Sequence, residues 1–239
     1  ANKKSFSRNS SIVSTIRSLK DSSPPASSIG VTRFIAQVLR RGRLFRVPGK
    51  RPAGKTKITG EKGLQIGRYT DLLYQRICAG KAKLDLDNPK HARCRNIFRM
   101  LKKHNMVPIM TQKTVSLGPD FALKTQVDGI ALHGNALAVL EIKTTQYTME
   151  QHKARYNTPS IGARRLANKA ENTEAVAHQL QLAFGVLGLR RLLSTTMPDV
   201  RVGGLVIVLC ADGGLSYPLN AMYNSTGWFD LGRSSSATS

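Results

Sequence analysis

Hydrophobic and polar positions follow two rhythms along this chain, and the change of rhythm divides it into elements. Between residues 107 and 144 the spacing is that of strands, with segments at about 107–116, 122–132 and 136–144. The run Ala136-Leu137-Ala138-Val139-Leu140 is uninterruptedly apolar, as expected of a strand covered on both faces. His133-Gly134-Asn135 before it reads as a hairpin turn. A second buried strand is predicted over Val202–Cys210, and the remainder, with Trp228, is expected to add an edge strand. Helical spacing predicts helices over 31–41 (Phe34, Ile35, Val38 and Leu39 on one face), 64–79 and 90–104 (Ile97, Met100 and Leu101). A long, largely buried helix covers about 171–193. Pro48–Gly63 reads as a basic loop, and Thr148–Lys169 as polar and irregular.

Strands separated by helices predict an α/β fold, a mixed central sheet flanked by helices. The folded domain is expected over 31–233. Residues 1–30 read as a basic, Ser-rich extension closed by the linker Ser22-Ser23-Pro24-Pro25-Ala26-Ser27-Ser28, and 234–239 as a fraying tail. At 239 residues the chain has room for one substantial core.

Charge narrows the partner class. The 37 Lys and Arg outnumber the 14 Asp and Glu, a net +23, and Asp21 is the only acid in residues 1–60. Such a field draws polyanions. Aromatics in that stretch are few (Phe6, Phe34, Phe45), so phosphate contact is expected over base stacking. Arg40, Arg41, Arg43, Lys50, Arg51 and Lys55 are the candidate nucleic-acid contacts there, with Arg164 and Arg165 farther on. Cys78, Cys94 and Cys210 lack C-x-x-C spacing, which argues against a disulfide framework or zinc ribbon. No apolar run reaches the ~18 residues of a membrane span, so no membrane partner is expected. The segment Ala1–Ser28 fits a transit peptide or a nucleic-acid-binding or nuclear-targeting arm equally well.

Gly49-Lys50-Arg51-Pro52-Ala53-Gly54-Lys55-Thr56 satisfies the nucleotide-binding pattern GxxxxGK[ST]. That loop needs a buried strand before it and a helix start after it. Residues 41–47 are too charged for such a strand, and 57–63 make a poor first helical turn, so direct phosphate contact is the better reading.

The sharpest chemistry lies where two strands end. Val127-Asp128-Gly129-Ile130-Ala131 sets one acid on a strand, and Glu141-Ile142-Lys143 closes the apolar run. Period two points Glu141 and Lys143 to one face and Ile142 to the other. A hairpin through Gly134 would bring Asp128 beside Glu141. Burying unpaired charges costs several kcal/mol, so charges at the end of a buried strand ask for a function. Two carboxylates and a lysine suit a divalent cation and an activated water.

This arrangement resembles the PD-(D/E)xK nuclease superfamily. The resemblance implies a restriction-endonuclease-like core in which Asp128 and Glu141 hold Mg²⁺, or Mn²⁺ in its place. The Ile142 carbonyl would add a ligand and Lys143 would orient the attacking water. Oxygen ligands suit Mg²⁺, which lowers the pKa of bound water and offsets charge at a scissile phosphate. Within the superfamily the chain is similar to the branch of lambda exonuclease, YqaJ and herpesvirus alkaline nuclease. Ala177-His178-Gln179-Leu180-Gln181 matches that branch's glutamine-containing helix, which implies Gln179 beside the active site. Gly67 followed by Asp71 matches its helical glycine and acid four places on, which implies Asp71 as a further metal ligand. The function implied is a metal-dependent deoxyribonuclease, an exonuclease acting on the ends of double-stranded DNA, with roles in DNA recombination. A homo-oligomer or larger nucleoprotein assembly is compatible with it. So is a nuclear, viral replication or mitochondrial compartment. The rival is a non-catalytic nucleic-acid-binding or assembly protein on the same fold.

Overall fold

The computed structural model describes residues 3–19, 28–35, 57–117, 123–159 and 173–221. Along the chain run α1 (Lys3–Ser18), β1 (Ile29–Gly30), the helical turn α2 (Val31–Phe34), α3 (Lys57–Cys78), α4 (Ala92–Lys103), β2 (Val107–Ser116), β3 (Leu123–His133), β4 (Ala136–Thr144), α5 (Met149–Tyr156), α6 (Glu174–Leu193), β5 (Val202–Leu209) and β6 (Gly214–Pro218). The fold is α/β, a mixed six-stranded sheet flanked by helices.

The three strands around the hairpin fall where the alternation predicts them. β2 and β4 both pair antiparallel with β3, and the turn between β3 and β4 holds Gly134 at φ 57°. β4 then pairs parallel with β5, and β6 closes the far edge antiparallel to β5. A parallel pair needs a crossover, which α5 and α6 supply. Val139, Leu140, Leu205, Val206, Ile207, Val208 and Leu209 are each exposed by 1% or less, and burying each such side chain stabilises by about 1.5–3 kcal/mol. The sheet is covered on both faces. On one, α1 and α6 pack Ile12, Ile16, Leu182, Val186 and Leu189 against Val127, Val139, Val206 and Val208. On the other, α3 and α4 pack Leu73, Tyr74, Ile97 and Leu101 against Ala131, Leu140, Leu205 and Ile207.

Three expectations are corrected. Residues 3–18 form a helix belonging to this core, not a tail. Ile12 and Ile16 are fully buried, Leu19 packs beside them, and the i, i+4, i+7 spacing makes one stripe within a Ser-rich sequence. The Lys113 ammonium on β2 also donates to the Leu19 carbonyl, satisfying the end of α1. Second, α5 interrupts the stretch expected to be irregular. Thr148 Oγ1 accepts from Gln151 N–H while Gln151 Oε1 accepts from Thr148 N–H, a reciprocal cap that starts the helix. Third, α3 begins at Lys57, inside the expected basic loop. The nucleotide-binding pattern at 49–56, Trp228 and the 234–239 tail lie outside the described residues. Among the described residues, no helix is long and apolar enough to cross a membrane.

Candidate active site

The β3–β4 ladder runs from His133↔Ala136 to Gly129↔Leu140 and stops, while β4 continues beside β5 as far as Thr144↔Leu209. The next rung would be Asp128 and Glu141. There a side chain takes over from the backbone: Asp128 Oδ2 accepts the Ile142 N–H at 2.7 Å. Glu141, 2% exposed, forms an ion pair with the Lys143 ammonium. Lys143 also donates to Gln181 Oε1 on α6 at 3.2 Å. Ile142 turns the other way and packs with the α3–α4 cluster, so period two holds through the triplet.

The opening continues along β3. β1 pairs with Leu123 and Lys124, and β2 already occupies the other edge of Lys124. β1 therefore shares the β4 edge, and neither strand pairs residues 125–128 on that edge. A cavity of about 440 Å³ lies against this stretch, lined by Lys124, Thr125 and Gln126 with Thr32, Thr114 and Gln181. The polar lining meets the acid–lysine pair through Gln181.

The electrostatics follow from crowding. Burial and then the charge of Glu141 push the Asp128 carboxyl up to about 7, against the pull of the Ile142 amide and Lys143; the Asp71 charge adds to the rise. Burial also raises Glu141, opposed by Lys143 and by a hydrogen bond from Gln181. A site that makes two carboxylates resist ionisation favours a cation between them. The Tyr74 side chain is fully buried with its hydroxyl beside the Cys78 thiol, and a Cβ on Gly129, the neighbour of Asp128, would stand 3.3 Å from that hydroxyl.

Asp71 comes from α3. A Cβ at Gly67 would lie 2.8 Å from Thr144 Oγ1, so a larger residue there would have to displace the Thr144 side chain at the end of β4. One turn later, Asp71 Oδ2 accepts from Gln75 Nε2 at 2.9 Å and Oδ1 from Gln112 Nε2 at 3.1 Å. The glycine-and-acid spacing is thus two parts of one close approach.

Asp128, Glu141, Ile142 and Lys143 are brought together, with Asp71 near enough to perturb Asp128. Gln179 is not among them, and its expected place beside the site is corrected. Its Nε2 donates to the Pro218 carbonyl at 3.1 Å and its Oε1 accepts from Asn220 N–H at 2.9 Å, tying α6 to the end of β6. Two residues are about 200° of helix, so Gln179 and Gln181 cannot both face Lys143. The signal that separates them is steric. A Cβ on Gly185 would meet Val127 at 2.9 Å and Val139 at 3.1 Å, and one on Gly188 would meet Val115 at 2.7 Å. Those glycines mark the sheet-facing stripe, and Gln181 is the glutamine one turn before Gly185. Arg40, Arg41, Arg43, Lys50, Arg51, Lys55, Arg164 and Arg165 lie outside the described residues.

Among the described residues, no three Asp, Glu, His or Cys side chains converge as a ready-made metal cage. Mg²⁺ does not ask for one, since it keeps several waters and binds through one or two carboxylates. Asp128 and Glu141 would hold it, joined by the Ile142 carbonyl, with Asp71 the further carboxylate whose charge reaches Asp128.

No protein-family model matches the chain, and no curated protein matches it. Among solved structures, the crystal structure of SSO0001 aligns at 13% identity over 94% of this chain and 83% of that one, with a TM-score of 0.31. A likeness that weak carries no argument here.

Proposed function

We propose that this chain is a metal-dependent nuclease that hydrolyses phosphodiester bonds of DNA, acting at DNA ends. The observation that carries the reading is the convergence of Asp128, Glu141 and Lys143 at the point where the β3–β4 ladder opens. A strand end kept only for packing has no use for a buried carboxylate pair. The net charge of +23 supports a polyanionic substrate.

In this reading each side chain has one task. Asp128 and Glu141 would hold Mg²⁺, which would supply Lewis acidity at the scissile phosphate. Glu141 and Gln181 fix the Lys143 ammonium between a carboxylate and an amide oxygen. From there Lys143 holds the attacking water in line and offsets charge that grows on the phosphoryl oxygens. The polar stretch Lys124–Gln126 beside Gln181 takes the neighbouring part of the strand by its phosphates.

The test is cleavage of linear and of circular double-stranded DNA with Mg²⁺, beside an EDTA control and Lys143→Ala. Metal-dependent loss of the linear substrate alone, absent in the variant, is expected. Cutting of both substrates would keep the nuclease and remove the preference for ends. DNA binding without cleavage would transfer the chain to the assembly-protein class.

A further inference from the structure

Gln112 has a backbone that its strand does not explain. It sits inside β2, yet its φ is 54°, in the left-handed region that non-glycine residues occupy only when their surroundings hold them there. The β2–β3 ladder passes from Thr111↔Gly129 to Lys113↔Val127, so Gln112 stands level with Asp128. Its side chain donates to Asp71 Oδ1, while Gln75 takes the other oxygen. A strained residue, the acid beside it in the sheet and the acid it holds on a helix therefore form one group.

We propose that Gln112 is a positioning residue of the candidate metal site. Its strained backbone presents a side-chain amide that holds the Asp71 carboxylate of α3 toward the carboxylates of the sheet. The inference rests on the metal-site reading above. Asp71 is half-buried and carried by a different element from Asp128 and Glu141. Without the amide its carboxylate would have other rotamers open to it, and ordering it would fall on metal binding. Carboxylates that bind metal are in turn oriented by outer hydrogen bonds, and Gln112 supplies one. The left-handed backbone follows from the geometry, since an ordinary strand conformation would redirect the side chain.

Two variants separate the amide from the strain. Gln112→Ala removes the amide and keeps a β-carbon at positive φ; Gln112→Gly removes both. The full chain would be titrated with Mn²⁺ by calorimetry and melted in EDTA. Both variants should bind Mn²⁺ about tenfold more weakly, and the glycine variant should melt about 2–4 °C above the alanine one. Asp71→Asn should weaken Mn²⁺ as well. Wild-type affinity in Gln112→Gly, or equal melting of the two variants, would overturn the proposal. Wild-type affinity in Asp71→Asn would overturn it too while leaving the Asp128–Glu141 site standing. Absence of Mn²⁺ binding by the wild type would remove the nuclease reading itself, and this inference with it.

Discussion

Replacing Lys143 by Met keeps the length of the side chain and deletes its charge, which isolates what the ammonium does for Glu141. Glu141 is 2% exposed, and its described ionic partner is Lys143. Removing one member of a buried pair costs about 3–5 kcal/mol, because the other charge stays behind uncompensated. Two features reduce that here. The Lys143 side chain is 29% exposed, so water screens part of the pair. Burial already raises the Glu141 carboxyl, so in the variant it escapes by taking up a proton. About 2 kcal/mol is then the expected loss in EDTA at neutral pH, or about 4–8 °C of melting temperature at this chain length. The loss should shrink as the pH falls, since a protonated Glu141 no longer needs a cation. Lys143→Met with Glu141→Gln should recover most of it, because neither charge remains. Urea unfolding in EDTA measures the wild type and both variants. A loss under about 0.5 kcal/mol, or a double variant no more stable than Lys143→Met, would refute the claim that Lys143 compensates a buried charge.

Two further outcomes follow from the site. The Asp128 carboxyl sits at about 7 in the fold against an ordinary 3.8, so between those values the folded chain holds a proton that the unfolded chain has released. Stability in EDTA should therefore fall as the pH rises from about 4 to about 7, and Asp128→Asn should flatten that slope; a urea midpoint that climbs over this range in the wild type would contradict the origin given for the shift. The two glutamines of α6 should separate by assay: Gln181→Ala should slow DNA cleavage with a near-normal melting temperature, whereas Gln179→Ala should lose about 1–3 kcal/mol by stranding the Pro218 carbonyl and the Asn220 amide and keep its rate per folded molecule. The reverse pattern would restore Gln179 to the site.

The strands and the acid–lysine triplet were legible in the sequence because both follow from a period of two. Alternation places β2, β3 and β4, the turn at Gly134 sets their register, and the register puts Asp128 next to Glu141. What lay beyond the pattern comes from contacts between elements. A Ser-rich helix that presents Ile12 and Ile16, with Leu19 just past its end, looks like a tail until the sheet face that buries them is known. The choice between Gln179 and Gln181 needs the rotation of α6 about its axis, which Gly185 and Gly188 fix through Val127, Val139 and Val115 rather than through anything on α6 itself. Gln112 is harder still, since nothing in Thr111-Gln112-Lys113 announces a positive φ, and the reason for it lies on α3. These cases share one cause. The carboxylates of the site come from a helix and two strands, and each strand can be read from its own sequence. The residues that align helix with strand (Gly67, Gln112 and Gln181) act between elements, where local spacing carries no information. A site built across elements in this way should be more sensitive to changes at those three positions than to changes in the apolar strands that carry its acids.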